Sequence, residues 1–208
     1  MKTSDEQDSG WRGSPELWLD AAYEMLVEGG IDAVKIQPLA SRLRLSRTSF
    51  YWFFKDRDAL LDVLARMWVQ RTTAPLVAAT QAYAATRSEA MLNVLACFLS
   101  DAFDSRLEFA VRGWSLRDAA MRERLQVADA ERLMALAQLL VHWGHDPDEA
   151  DVRARTIYLV QIGYISMQTR ESLQTRLERI PNYVEIYTGT RPTEAELARF
   201  RAGLEGLA

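Results

Sequence analysis

Apolar residues fall three and four positions apart through most of this chain, and nowhere do they alternate with polar ones for the length of a strand. Leu60, Leu61, Leu64, Met67 and Trp68 form one such run, and Leu17, Ala21 and Met25 beside Trp18, Ala22 and Leu26 form another. That period buries one stripe of a helix while the backbone satisfies its own hydrogen bonds. Glycine (10) and proline (6) are too sparse to punctuate many short strands, and the abundant Leu, Ala, Arg and Glu favour helix. The chain therefore reads as all-α, with about nine helices. They are expected from Ser14 to Gly29, then at 36–43, 47–54, 57 into the seventies, 88–103, 106–115, 118–144, 148–176 and 193–206.

The ends of these helices carry their own signals. Ser14-Pro15-Glu16 supplies a cap, a preset first dihedral and an anion at the positive dipole end. Asp56 suits a cap of the helix from 57, and Pro75 is expected to kink or end that helix. Ser105 with Glu108, Asp146-Pro147 with Glu149, and Thr193 with Glu196 read as capping boxes or their Asp variant. Gly29-Gly30, Gly144 and Gly189 read as stops. The segment 178–192 reads as a connection, and residues 1–13 as a loose polar tail.

With 208 residues, 49% of them hydrophobic, the chain can bury a full core. Its most apolar run is interrupted by Gln161, so no membrane span is expected. The stretch Met1-Lys2-Thr3-Ser4-Asp5-Glu6 lacks the apolar core of a secretion signal. A single cysteine, Cys97, cannot form an intrachain disulfide, so a reducing cytoplasm is expected.

Net charge is -4, but it is unevenly spread. Residues 35–57 hold six positive residues (Lys35, Arg42, Arg44, Arg47, Lys55, Arg57) against Asp56, a balance of +5 that leaves -9 elsewhere. A basic patch on an acidic chain is the footprint of a small nucleic-acid-binding domain.

Within that patch, 36–43 and 47–54 read as two helices joined at Arg44-Leu45-Ser46. Leu39, Leu43, Leu45, Phe50 and Phe54 can form one small core with the first helix, and Ser46 can cap the second through the Ser49 amide. Arg47, Thr48, Tyr51, Trp52 and Lys55 remain, at the spacing of one helical face. Such a face fits a major groove: Arg47 can reach guanine edges, Trp52 a thymine methyl, Tyr51 and Lys55 phosphates. The alternative is that Tyr51 and Trp52 pack against another helix while Arg47 and Lys55 are merely solvated.

The string Gly30-Ile31-Asp32-Ala33-Val34-Lys35-Ile36-Gln37-Pro38-Leu39-Ala40, followed by Leu45-Ser46-Arg47-Thr48-Ser49-Phe50-Tyr51-Trp52-Phe53-Phe54-Lys55-Asp56-Arg57-Asp58-Ala59-Leu60-Leu61, resembles the DNA-binding domain of the TetR/AcrR (tetracycline-repressor-like) family. The resemblance implies a three-helix helix-turn-helix domain at 14–56 and a helical ligand-binding and dimerisation bundle at 57–208. It implies DNA contacts from Lys35, Gln37, Arg47, Thr48, Ser49, Tyr51, Trp52, Lys55 and Arg57. Three positions depart from the pattern. Arg44 stands where the family has a turn glycine, Phe53 where it often has histidine, and Val34-Lys35 where a capping Thr or Ser is common. Arg44 is then expected in a left-handed conformation, at a cost of about 1 kcal/mol.

The resemblance further implies a homodimer on a near-palindromic operator, released by a small, largely apolar effector: a repressor, with an activator or a plain helical interaction module as alternatives. The aromatic and Met residues Trp68, Met91, Phe98, Phe103, Trp114 and Met134 are candidates for an effector cavity, with Gln138, His142, Tyr158 and Gln161 adding polar groups; each is equally an ordinary core residue. The two-sided apolar centre of 148–176 suggests that one side meets a partner subunit. Ile157, Val160, Gly163, Tyr164 and Met167, joined by Leu197, Phe200 and Leu204 of the last helix, are the candidates for that interface. No phosphate loop, nucleophile elbow or paired carboxylate with a neighbouring histidine stands out, so neither an enzyme nor a cofactor is expected. His142, His145 and Asp146 lie at a helix end, where capping and the dipole explain them without a metal.

Overall fold

The computed structural model describes residues 13–205. Among these, ten helices and no strand are present, so the all-α expectation stands with one helix more than foreseen. The chain divides into two compact units within the fourth helix, between Met67 and Trp68.

In the first unit, α1 (Pro15–Gly29) opens as its sequence dictates: Ser14 accepts from the Leu17 amide, Pro15 occupies the first turn, and Gly30 closes the helix at φ 71°. Next come α2 (Ile36–Leu43), α3 (Arg47–Phe50) and the start of α4 (Arg57–Gln81). Trp18, Leu26, Val34, Leu39, Phe50, Leu60 and Leu64 are buried together as the core of this unit. Phe50 packs edge-on to Trp18 with ring centres 5.4 Å apart. Leu60, Leu61 and Leu64 are buried in this way on the first turns of α4, which is why the division falls inside that helix instead of before it. Asp56 accepts from the Ala59 amide at 2.9 Å, as a cap of α4 should. Pro75 does not end α4; the helix continues to Gln81.

The second unit contains the rest of α4 with α5 (Arg87–Leu99), α6 (Ser105–Ser115), α7 (Ala119–His142), α8 (Pro147–Ser166), α9 (Leu173–Thr188) and α10 (Glu194–Glu205). α8 packs chiefly along α7, α9 and α10 against α5, and α6 against α7 and α8. The cap of α6 is Asp104, which accepts from the Leu107 amide, and not Ser105; aspartate one position earlier offers the stronger acceptor. Asp146 caps α8, and Thr193 with Glu196 forms a reciprocal box, the Thr193 amide donating to Glu196 at 2.6 Å and the Glu196 amide to Thr193 at 3.3 Å.

The largest departure lies at 148–192. The long helix stops at Ser166, Gln168 takes φ 49°, and a separate helix occupies most of what reads as a connection. Ser172 caps α9, Gly189 ends it in the left-handed region, and Pro181 lies inside it. Its buried residues Ile180, Val184, Tyr187 and Thr188 keep the helical period, which Pro181 masks in the sequence.

Candidate nucleic-acid interface

The turn between α2 and α3 is built from three local devices. Arg44 sits at φ 56°, ψ 37°, the left-handed conformation expected of it, and its amide reaches back to Ser41. The Leu45 amide bonds the Ala40 carbonyl at 2.9 Å, closing the helix end. Ser46 then accepts from the Ser49 amide at 3.2 Å and starts α3. Lys35 begins α2 from an extended backbone with no side-chain cap, matching the missing Thr or Ser.

α3 is shorter than the expected 47–54. After Phe50 the chain tightens, with Phe53 and Phe54 amides both reaching the Phe50 carbonyl at 3.0 Å. The tightening turns Phe54 back into the core, 5.4 Å from Phe50, in a run of aromatics with weak helical preference. The outward face survives. Arg47, Thr48 and Lys55 are exposed, and Tyr51 and Trp52 expose 56% and 61% of their surfaces, so the two aromatics are not packed into their own unit. Large aromatics held out beside two cations are what groove recognition uses.

Not every candidate faces outward. Ser49 is buried and shares a 3.0 Å hydrogen bond with the Ser46 hydroxyl, so it shapes the turn instead of meeting DNA. Arg57 turns inward: Nε donates to the Val34 carbonyl at 2.6 Å and Nη2 to that of Ile31 at 2.9 Å, tying α4 to the loop before α2. The Ile31 carbonyl also accepts from the Val34 amide at 3.2 Å, so the guanidinium reinforces a turn that the backbone already closes. Arg42 grips Glu28 of α1 through both oxygens at 2.6 and 2.8 Å. Gln37 is exposed, within 3.5 Å of the Ser41 hydroxyl, and Lys35 is exposed beside it. Sequence alone counts six cations here; the structure leaves Lys35, Arg44, Arg47 and Lys55 for an anionic partner.

The candidate cavity residues do not line one cavity. Trp68, Phe103 and Tyr158 are buried around the guanidinium of Arg132, whose Cζ lies 5.2, 5.6 and 6.0 Å from their ring centres. Arg132 and Glu108 are fully buried and bonded at 2.9 Å, and the Trp68 indole donates to Glu108 at 2.7 Å. Arg112 bonds Glu108 and Asp129 at 2.8 and 2.7 Å, while the Tyr158 hydroxyl donates to Asp129 at 2.6 Å. Burial opposes the charge on Arg132, but Glu108 and Tyr158 together outweigh it and hold the guanidinium above its ordinary range. Sequence reading misses this cluster because Glu108 and Arg132 look like solvated members of amphipathic helices; their only signal is a position on the apolar stripe. Met91 and Phe98 are core residues, and Trp114 is buried with its indole donating to Asp118 at 3.0 Å. Met134, Gln138 and His142 lie exposed on α7, along a shallow groove beside Val77 and Thr80. Gln161 alone reaches an enclosed cleft, with α5 and α9.

The candidate interface residues also separate. Ile157, Leu197, Phe200 and Leu204 are buried within the chain, because α10 serves as a wall of the α5 core. Val160, Gly163 and Tyr164 are half-buried, and Met167 is 80% exposed. Val152 and Leu159 of α8 and Leu173 and Ile186 of α9 are further outward apolar residues beside Met167, and the Arg153 guanidinium joins the two helices by donating to the Ile186 carbonyl at 2.6 Å.

Among the described residues no helix is long and apolar enough to cross a membrane, and no group of three His, Cys, Asp or Glu could hold a metal ion.

Residues 19–64 match the model of the bacterial regulatory proteins, tetR family. The tetracycline repressor protein class D of Escherichia coli is 45% identical over 50 residues, 24% of this chain and 23% of that protein. The chain thus spans less than a quarter of the length of the curated relatives it matches. The fold is similar over a longer stretch. The fatty acid degradation regulator FadR of Bacillus halodurans superposes with a TM-score of 0.62 at 12% identity, covering 88% of this chain and 97% of that one. The transcriptional regulator FadR of Bacillus subtilis, in complex with stearoyl-CoA, gives 0.58 at 17% identity over 84% and 98%.

Proposed function

We propose that this chain, of the TetR family by its N-terminal domain and TetR-like in fold, is a sequence-specific DNA-binding transcriptional regulator that works as a homodimer in the cytoplasm and acts by binding, without catalysis. The observation that carries the reading is the outward set Arg47, Thr48, Tyr51, Trp52 and Lys55, raised on a turn whose strain at Arg44 is spent on positioning it. Lys35, Gln37 and Arg44 flank that set and serve the phosphates.

Repression is the sense we assign, on the strength of the tetracycline repressors that share the reading domain. A small effector binds the second unit and weakens operator affinity by shifting the population of reading-domain arrangements. The stearoyl-CoA complex of one fold relative supports a ligand-binding second unit. α4 is the transmitting element: it is unbroken from Arg57 to Gln81, and Trp68, Thr72 and Thr73 fasten its later turns to the Glu108–Arg132 cluster. The dimer forms through the outer faces of α8 and α9, and two reading helices then stand about one DNA turn apart on a near-palindrome.

The test is selection of genomic fragments bound by the full chain at two salt concentrations. Enrichment of one inverted repeat, with affinity falling steeply as salt rises, is expected. Recovery of fragments with no shared repeat would remove the regulator reading.

A further inference from the structure

Resting on the reading of α4 above, we propose that Arg132 acts as a built-in ligand: its guanidinium fills a cation box walled by other helices, and the filled box fixes the rotation of α4 about its own axis. Arg132 comes from α7. The walls are Trp68, Thr72 and Thr73 of α4, Phe103 just ahead of α6, Glu108 of α6 and Tyr158 of α8. Convergent polar groups set among apolar walls from several elements are the arrangement of a ligand site, here occupied by the chain itself.

Donors and charges both close. A guanidinium carries five N–H groups, and each has an acceptor here. Nε donates to the Thr73 hydroxyl at 2.9 Å. Nη1 donates to Glu108 at 2.9 Å and to Tyr158 at 2.8 Å, and Nη2 to Thr72 at 2.7 Å and to Glu108 at 3.1 Å. The rings of Trp68, Phe103 and Tyr158 surround Cζ at distances where a cation is attracted to a ring face. Arg112 pairs with Glu108 and Asp129, and Asp129 lies 3.7 Å from Arg132, so two cations meet two acids. The next charges outward, Arg71 and Asp104, face each other at 3.7 Å and add nothing net. Without the Arg132 cation the cluster would carry one net negative charge.

Thr72 and Thr73 tie this box to α4. Both are buried, at positions where apolar residues would pack as well. The Thr72 hydroxyl donates to the Trp68 carbonyl at 2.6 Å, which leaves its lone pairs for Nη2. Successive helical residues point about 100° apart, so one rigid fork that holds both hydroxyls admits one rotation of the helix. Trp68, a turn earlier, is held to the same carboxylate at 2.7 Å. Apolar burial is non-directional and would stabilise α4 without specifying that angle. Because α4 is continuous from Arg57, its rotation at Thr72 bears on the reading domain.

The experiment restores the missing cation from solution. Arg132→Ala removes two methylenes and the guanidinium, the atoms that N-ethylguanidinium supplies. Thermal unfolding of the full chain carrying Arg132→Ala is followed by circular dichroism, beside binding of the duplex selected above. The variant is prepared with the cation present, so a fold that depends on it is still observed. At about a hundred times its dissociation constant the cation should raise the melting temperature by roughly 5–10 °C. N-ethylurea, similar in shape and uncharged, should not. Neither compound should stabilise the wild-type chain, whose box is full, or Glu108→Gln with Arg132→Ala, whose box has lost its acid. Duplex affinity should fall at least about tenfold in Arg132→Ala and return with the cation. Equal action by the urea, stabilisation of the wild-type chain, or no stabilisation of Arg132→Ala at tens of millimolar overturns the built-in ligand. A restored melting temperature with duplex affinity unchanged upholds the box and overturns its control of α4. A wild-type chain that prefers no duplex removes the regulator reading, while the melting measurements still decide the box.

Discussion

The cations of the N-terminal unit share a sign and differ in employment. Arg47 points outward on the groove-facing set, so Arg47→Ala should cost about 1–3 kcal/mol at a preferred site and relax base preference there, measured by competition among operator variants. Lys55→Ala should weaken all duplexes alike and lower the slope of log affinity against log salt by about 1. Arg57 is spent on the Val34 and Ile31 carbonyls, so Arg57→Ala should lower the melting temperature while leaving that salt slope unchanged. An unchanged melting point with a reduced slope would return Arg57 to the phosphates. Arg42 holds both oxygens of Glu28 on an exposed surface, where water and salt screen the pair. Cys97 makes a separate case: burial pushes its thiol up to about 12, so alkylation by iodoacetamide at pH 8 should require unfolding. Rapid labelling of the folded chain would contradict that burial.

At the scale of elements, the Glu108–Arg132 cluster fastens α4, α6, α7 and α8 to one another. Glu108→Gln leaves Arg132 fully buried with Asp129, 3.7 Å away, as its remaining acid, a loss of up to about 3–5 kcal/mol, and should lower the melting temperature by roughly 6–20 °C on circular dichroism. The double change Glu108→Gln with Arg132→Met should cost less than the two single costs added, since no buried charge is then stranded there. Additive costs would mean that the pair does not act as a unit. Elements whose caps and periods agree were legible from sequence: α1 and the start of α8 announce themselves through residues within a few positions, as does the turn at Arg44, while α2 is marked by its apolar period alone. The outward face was legible for the same reason, since Arg47 to Lys55 is a local pattern. Three things were not. α9 hides behind Pro181, which a helix tolerates when the rest of its stripe is buried. The inward turn of Arg57 depends on carbonyls more than twenty positions earlier. The polar cluster joins helices whose charged residues look solvated one helix at a time.

For the whole molecule, the proposed dimer turns on which surface would join two copies. A partner-facing helix must leave its apolar residues outside its own core, and α10 does not: Leu197, Phe200 and Leu204 are buried against α5. α8 and α9 do, with Leu159 63% exposed and Ile186 62% exposed on helices that Arg153 already ties together. Leu159→Arg puts a charge at the centre of that face and touches nothing in the monomer core. It should give a folded monomer by sedimentation, with unchanged helicity and an operator affinity reduced to that of a single half-site. Phe200→Ala should act the other way, costing about 3–5 kcal/mol of stability as a core truncation while the molecules still folded remain paired. Were Leu159→Arg to stay dimeric and Phe200→Ala to dissociate without destabilising the fold, the interface would belong to α10, and the spacing of the two reading helices would have to be rebuilt around it.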